Sequence, residues 1–248
     1  IGVSESSDRV NFKNRRQLIF PEYDFEKFGC EDPRATRVDD KYYIFYTALS
    51  NYPPDHLSIK VAVAISNDLK EVSEKHLVTP FNAKAMALFP RKINGMYAAI
   101  LTANTDLPPS RVGVAFFQKE EQIWDEIYWH NWYRKLDHYV IPLLKSSQDQ
   151  VEVGAVPVET SEGWILIYSY IKNYLSNDKV FGIEAVLLDS NDPKKVIART
   201  TEPLLTPEMD YEKYGDVPNI VFPSGAVIND DKLLVYYGAA DTSCCSHG

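Results

Sequence analysis

The chain has 248 residues, 45% hydrophobic and 25% charged, the balance of a folded globular protein and not of a disordered one. Acidic residues (35) outnumber basic ones (26), and a net charge of −9 repels phosphate backbones, which argues against a nucleic-acid reader. No apolar run approaches the roughly 20 residues of a membrane-spanning helix, and three cysteines cannot form a disulfide framework.

Ile1 to Ser7 reads as a late strand of a unit whose beginning is absent. No signal peptide is visible there, and a cytoplasmic location is the expectation. A two-strand phrase then recurs. It runs as Tyr42–Ala48 with Ile59–Ser66, as Met96–Ala103 with Arg111–Phe117, and as Trp164–Ile171 with Val180–Leu188. A half-copy follows the turn Asn229-Asp230-Asp231, as Lys232–Ala239. Acidic or Gly turns before aromatic, β-branched runs are hairpin signals. Short strands precede each hairpin, at Pro33–Val38, Ala87–Ile93, Ala155–Glu159 and Phe222–Ile228. Units of three or four strands at a period of roughly 50 to 70 residues predict an all-β propeller, a single domain over 1–248 incomplete at both ends.

One segment, near 118–138, breaks the pattern. Trp124, Tyr128 and Trp132 recur at helical spacing, with acidic residues before them and Arg134-Lys135 after, which predicts a helix. Large aromatics bury the most area, so anchoring to the sheets is favoured over stacking on a sugar. At the C-terminus Cys244, Cys245 and His247 supply only three donors, with the cysteines adjacent, so neither a metal nor a cofactor is expected.

Propeller ligands bind where the first strands of the blades converge, and four polar clusters lie there. Glu31-Asp32-Pro33-Arg34 sets two carboxylates before a proline that restricts Asp32, with Arg34 two residues on. Asn82 and Lys84 are candidates for sugar hydroxyls or an anion, or else form a solvated edge. Glu152 stands alone among small and apolar residues, where an unpaired carboxylate is costly. Asp216 and Asp241 follow turns that end near the same strands; they suit sugar hydroxyls or turn capping. No Ser-His-Asp set, Walker loop or Gly-rich nucleotide fingerprint appears. The reactive inventory is carboxylates, the groups that cleave glycosidic bonds.

Taken in order, these clusters resemble glycoside hydrolase family 130, the β-mannoside phosphorylases and β-1,2-mannosidases. The resemblance runs through Glu31-Asp32-Pro33-Arg34, Leu88-Phe89-Pro90-Arg91-Lys92-Ile93-Asn94-Gly95, Gly163–Tyr168, Gly215-Asp216-Val217-Pro218-Asn219, and Phe222-Pro223 to Thr242. It implies five blades, inversion at the anomeric carbon, Asp32 as general acid and Asp241 as a mannosyl ligand. It also implies an Asn and an Arg from the first blade, ahead of Ile1. Three positions depart from the phosphorylase pattern. Glu152 replaces a Lys, Ser169 replaces a His, and Leu101-Thr102-Ala103-Asn104 lacks an Arg.

Each departure removes a phosphate ligand, so the primary expectation is an inverting hydrolase of β-mannosides, β-1,2-linked oligosaccharides among them. Asp32 would protonate the leaving group and Glu152 would activate water, with Glu184 a second candidate. Glu31, Arg34, Asn82, Lys84, Asp216 and Asp241 would hold the substrate. The alternatives are a phosphorylase holding phosphate on Lys84 or Arg91, and a sugar-binding propeller without turnover. The expected partner is a β-mannoside or oligosaccharide; self-association stays open.

Overall fold

A computed structural model describes residues 1–230 and 232–248. Asp231, in the turn expected before Lys232, lies outside the described residues. Among those described, five antiparallel sheets follow one another along the chain. The first pairs β1 (Gly2–Glu5) with β2 (Lys13–Gln17). The second runs β3 (Gly29–Val38), β4 (Lys41–Leu49), β5 (Ile59–Ser66) and β6 (Glu74–Leu77) in sequence order. The third is β7 (Ala83–Leu88), β8 (Tyr97–Ala103) and β9 (Arg111–Phe117). The fourth orders β10 (Gln150–Val153), β12 (Gly163–Lys172), β13 (Val180–Leu188) and β14 (Val196–Arg199), with β11 (Val158–Thr160) also on β12. The fifth is β15 (Val221–Asn229), β16 (Lys232–Ala239) and β17 (Ser243–His247).

The middle strands of the second, third and fourth sheets are apolar on both faces because neighbouring sheets cover them. On β4, Ile44, Tyr46 and Ala48 pack with Leu18 and Ile19 toward the first sheet. Tyr43 and Phe45 alternate with them and pack with Met86 and Leu101 toward the third. Tyr168 and Tyr170 of β12 join Ile100 and Val114 between the third and fourth sheets. Ile167 joins Val221 and Tyr237 between the fourth and fifth. Four cores thus lie between five consecutive layers, which makes period-two alternation carry two buried faces.

The helical segment is shorter than its spacing suggests. A 3-10 turn (Glu120–Trp124) precedes α1 (Glu126–Arg134), and a second turn spans Leu136–His138. Asp125 caps α1 by accepting from the Tyr128 backbone N–H at 2.7 Å, so Trp124 falls outside the helix that carries Tyr128 and Trp132. Trp129 and Trp132 are buried in the core between the second and third sheets. The aromatics anchor the segment.

Two inner strands lie earlier than expected. The expected strand over Ala87–Ile93 is in fact β7, Ala83–Leu88, followed by a turn in which Ile93 bridges Met96. Of the expected strand Ala155–Glu159 only Val158 and Glu159 are strand, in β11, and the inner strand is β10, which ends just before Gly154. Both shifts place Lys84 and Glu152 inside inner strands. Gly154 is needed there because a Cβ would lie 2.4 Å from Pro223 Cγ and 2.8 Å from the Ile167 carbonyl oxygen.

A second internal repeat feeds two inner strands. Pro21-Glu22-Tyr23-Asp24-Phe25-Glu26-Lys27-Phe28-Gly29 leads into β3. Pro207-Glu208-Met209-Asp210-Tyr211-Glu212-Lys213-Tyr214-Gly215, containing α2 (Asp210–Lys213), leads toward β15. Each buries its second glutamate. Glu26 accepts from the Glu22 N–H at 3.0 Å and from the Tyr46 hydroxyl. Glu212 accepts from the Glu208 N–H at 2.8 Å and from the Tyr237 hydroxyl at 2.8 Å. Tyr46 and Tyr237 sit on the second strands of their sheets, so each glutamate pins an entry loop to its own layer.

Candidate active site

A cavity of about 570 Å³ opens where inner strands of four sheets approach. Asp32, Pro33 and Arg34 of β3, Lys84 of β7 and Glu152 of β10 line it, with Asp241 from the loop after β16. Val217, Ile220 and Phe222 contribute an apolar wall to the same cavity. Charged groups together with an apolar wall suit a sugar ring, which offers hydroxyls around its edge and C–H groups on its face.

Backbone irregularity aims the polar groups. The β3–β4 register shifts between Glu31 and Arg34, and Asp32 sits in that bulge at φ +52°. The β7–β8 register shifts between Lys84 and Ala87, with Ala85 at φ +52°. Asp241 has φ +58°. Left-handed non-glycine residues cost energy and persist only where their surroundings hold them. Pro33 fixes the chain directly after Asp32.

Arg34 does that holding. Its side chain is buried, with Nε donating to the Gly154 carbonyl at 2.7 Å and one terminal nitrogen to Val153 at 3.1 Å. The other donates to the Asp32 carbonyl at 2.8 Å. The guanidinium borders the cavity, as expected of a substrate-binding residue, and these donors also clamp β3 to β10.

Glu152 has its carboxyl pushed up to about 7, chiefly by desolvation and opposed first by the Lys84 charge and then by Arg34. Lys84 is held above its ordinary range despite its own desolvation, first by Glu152 and then by Asp106 and Asp32. Glu31 is raised by desolvation and next by the adjacent Asp32 charge. It stands beside the cavity but is not among the lining residues. A carboxyl that ionises near neutrality can hold or release a proton at working pH.

The raised Glu152 value has a thermodynamic consequence. The folded chain keeps the proton up to about 7, whereas the unfolded chain loses it near 4.5. Stability therefore falls as pH rises through that window, and the cost is complete above it. Glu152→Gln should be more stable than the parent at pH 8 by on the order of 1–3 kcal/mol, with the difference shrinking at pH 5. Urea unfolding at both pH values measures this.

Three expected site residues lie elsewhere. Glu184 pairs with Tyr168 across β12 and β13, while Glu152 pairs with Ser169. Paired residues share a face and neighbours alternate, so Glu184 points to the opposite face of the sheet from Glu152. There it is buried, 2.7 Å from Lys145 Nζ and accepting from the Tyr168 hydroxyl at 2.7 Å. Asn82 is buried and bonds Asp106 at 2.9 Å instead of facing the cavity. Asp216 is exposed in the loop between α2 and β15, and its neighbour Val217 provides the lining. Arg91, the other candidate phosphate ligand, pairs with Glu159 at 2.5 Å over the Trp164 ring and is also outside the lining.

Ser224, Phe222 and Cys244 also line the cavity; none was expected as a substrate-binding residue, and Cys244 had been weighed only as a metal donor. Phe222 does follow the Asp216-Val217-Pro218-Asn219 motif, a signal that could have found it. Ser169 Oγ is buried without a hydrogen-bond partner, directly across from Glu152.

The family profile of glycoside hydrolase family 130, described as beta-1,4-mannooligosaccharide phosphorylase, matches residues 1–245. The chain belongs to glycoside hydrolase family 130. It is 36% identical over 248 residues to a 1,2-beta-oligomannan phosphorylase of a Thermoanaerobacter species, covering 98% of this chain and 75% of that one. A beta-1,2-mannobiose phosphorylase of the same organism is also 36% identical, with 98% and 74% covered. The solved beta-1,2-mannobiose phosphorylase from Listeria innocua, in complex with beta-1,2-mannobiose, superposes with a TM-score of 0.78 at 28% identity. That match covers 99% of this chain and 65% of the other, so the chain spans about two thirds of that relative's length.

Proposed function

We propose that this chain phosphorolyses β-1,2-linked mannosides in the cavity lined by Asp32, Lys84 and Glu152. The β-glycosidic C1–O bond breaks, and Asp32 delivers a proton to the departing oxygen, directly or through a sugar hydroxyl. A phosphate oxygen bonds to C1 from the opposite face, so the product is α-mannose 1-phosphate. Asp241 takes mannosyl hydroxyls, and the Phe222 wall takes the face of the ring. The reading is carried by Lys84, a cation facing two carboxylates in one cavity, together with two relatives named as phosphorylases at 36% identity.

The comparisons favour phosphorolysis over the hydrolysis expected from the three departures. Glu152, which stands where the phosphorylases carry a Lys, would repel a phosphate dianion as a carboxylate. A carboxyl at about 7 is about half protonated at neutrality, and its protonated form donates a hydrogen bond to the anion in place of repelling it. The same group favours a second reading. As a carboxylate facing Asp32 it could deprotonate water, the arrangement of an inverting hydrolase. The experiment is product analysis on β-1,2-mannobiose with and without phosphate. Sugar phosphate formed only in phosphate supports phosphorolysis; equal mannose release in its absence replaces it with hydrolysis.

The same reading takes the five sheets as blades of one propeller domain. It is supported by their consecutive order, by the core between each successive pair and by the approach of β15 to β3.

A further inference from the structure

Lys84 has a further carboxylate neighbour that is not among the cavity-lining residues. Its Nζ stands 3.6 Å from Asp106 Oδ1. Asp106 is itself fixed: its Oδ2 accepts from Asn82 Nδ2 at 2.9 Å and from the Thr105 hydroxyl at 3.1 Å. Its backbone N–H donates to Asn82 Oδ1 at 3.0 Å. The loop that carries Asp106 is tied to the helical segment. The Tyr133 hydroxyl donates to Asn104 Oδ1 at 2.7 Å, and the Asn104 N–H donates to the Asn82 carbonyl at 2.9 Å. Phe81, next to Asn82, stacks on Tyr133 with ring centroids 4.2 Å apart.

We propose that Asp106 is a positioning residue that aims the Lys84 ammonium at the phosphate site, and that Tyr133 braces it from the helical segment. A lysine side chain has four rotatable bonds, and ordering them costs entropy at the moment of binding. An ion pair with a fixed carboxylate meets part of that cost in advance and leaves ammonium N–H groups for the ligand. The anchor also opposes collapse. The other charges around Lys84 are Glu152 on β10, Asp32 and Glu31 on β3, and Asp241 after β16. Untethered, the ammonium would fall onto Glu152 or Asp32 and occupy a group the reaction needs. The aromatic segment thereby acquires a part in catalysis that its anchoring role does not supply.

This inference rests on the phosphorolysis reading, because phosphate is the ligand that Lys84 holds. Steady-state kinetics with phosphate and β-1,2-mannobiose varied separately test it. Asp106→Asn should raise KM for phosphate about tenfold, the scale of one charge-assisted contact, while KM for the mannoside stays within about twofold. Asp106→Glu keeps the charge and should recover most of that loss. Tyr133→Phe should raise the phosphate KM about two- to threefold. A role in folding alone would lower the unfolding midpoint and kcat and leave the phosphate KM in place, and that result overturns the proposal. An unmodified enzyme that ignores phosphate overturns the phosphorolysis reading and this inference with it. A phosphate-dependent enzyme whose Asp106→Asn variant keeps the parental phosphate KM overturns the positioning role alone.

Discussion

Asp32→Asn is expected to lower kcat by roughly 10²–10⁴-fold, the range of a lost general acid, while the mannoside still binds. The side chain is presented from a bulge at a left-handed φ of +52°, next to Pro33 and over the Arg34 clamp. Asn tolerates that backbone as well as Asp does, so the substitution removes the transferable proton and spares the geometry. Titration calorimetry with β-1,2-mannobiose, beside turnover, separates the two effects. Retained turnover would show that the proton comes from another group.

The second large effect falls on stability. Arg34→Met should destabilise the chain by about 3–5 kcal/mol, because three backbone carbonyls lose their donors and the buried strand contact between β3 and β10 opens. Methionine keeps much of the aliphatic volume, so the loss reports polar pairing more than packing. The readout is the urea midpoint at unchanged slope. Activity should fall further than stability alone explains, since the Asp32 carbonyl is one of the three acceptors. A midpoint within experimental error of the parent would mean that Arg34 is not the clamp described.

The hairpins were legible because their signals are local: a turn, then alternation over seven to ten residues. Asp32 was legible from the proline after it, and Glu152 from its isolation among apolar neighbours. The clamp made by Arg34 was not, because its acceptors Val153 and Gly154 lie 119 and 120 residues away. Glu184 was misplaced because the face a residue takes depends on strand register, which spacing along one strand does not fix. The inner strand Ala83–Leu88 is half alanine with a bulge at Ala85, and neither feature registers as a strand signal. Asp106 carries no motif at all. Its importance comes from the Asn82 pairing between two separate loops. The repeat around Glu26 and Glu212 was visible in the residues, yet its meaning depends on Tyr46 and Tyr237 arriving from second strands.

The central claim is transfer of a mannosyl group to phosphate within the Asp32–Lys84–Glu152 cavity. Proton and phosphorus NMR on the first product formed from β-1,2-mannobiose tests it most directly. The expected product is α-mannose 1-phosphate, appearing at a rate that falls to background when phosphate is omitted. Free mannose released at the same rate without phosphate, or a β-configured sugar phosphate, would contradict it.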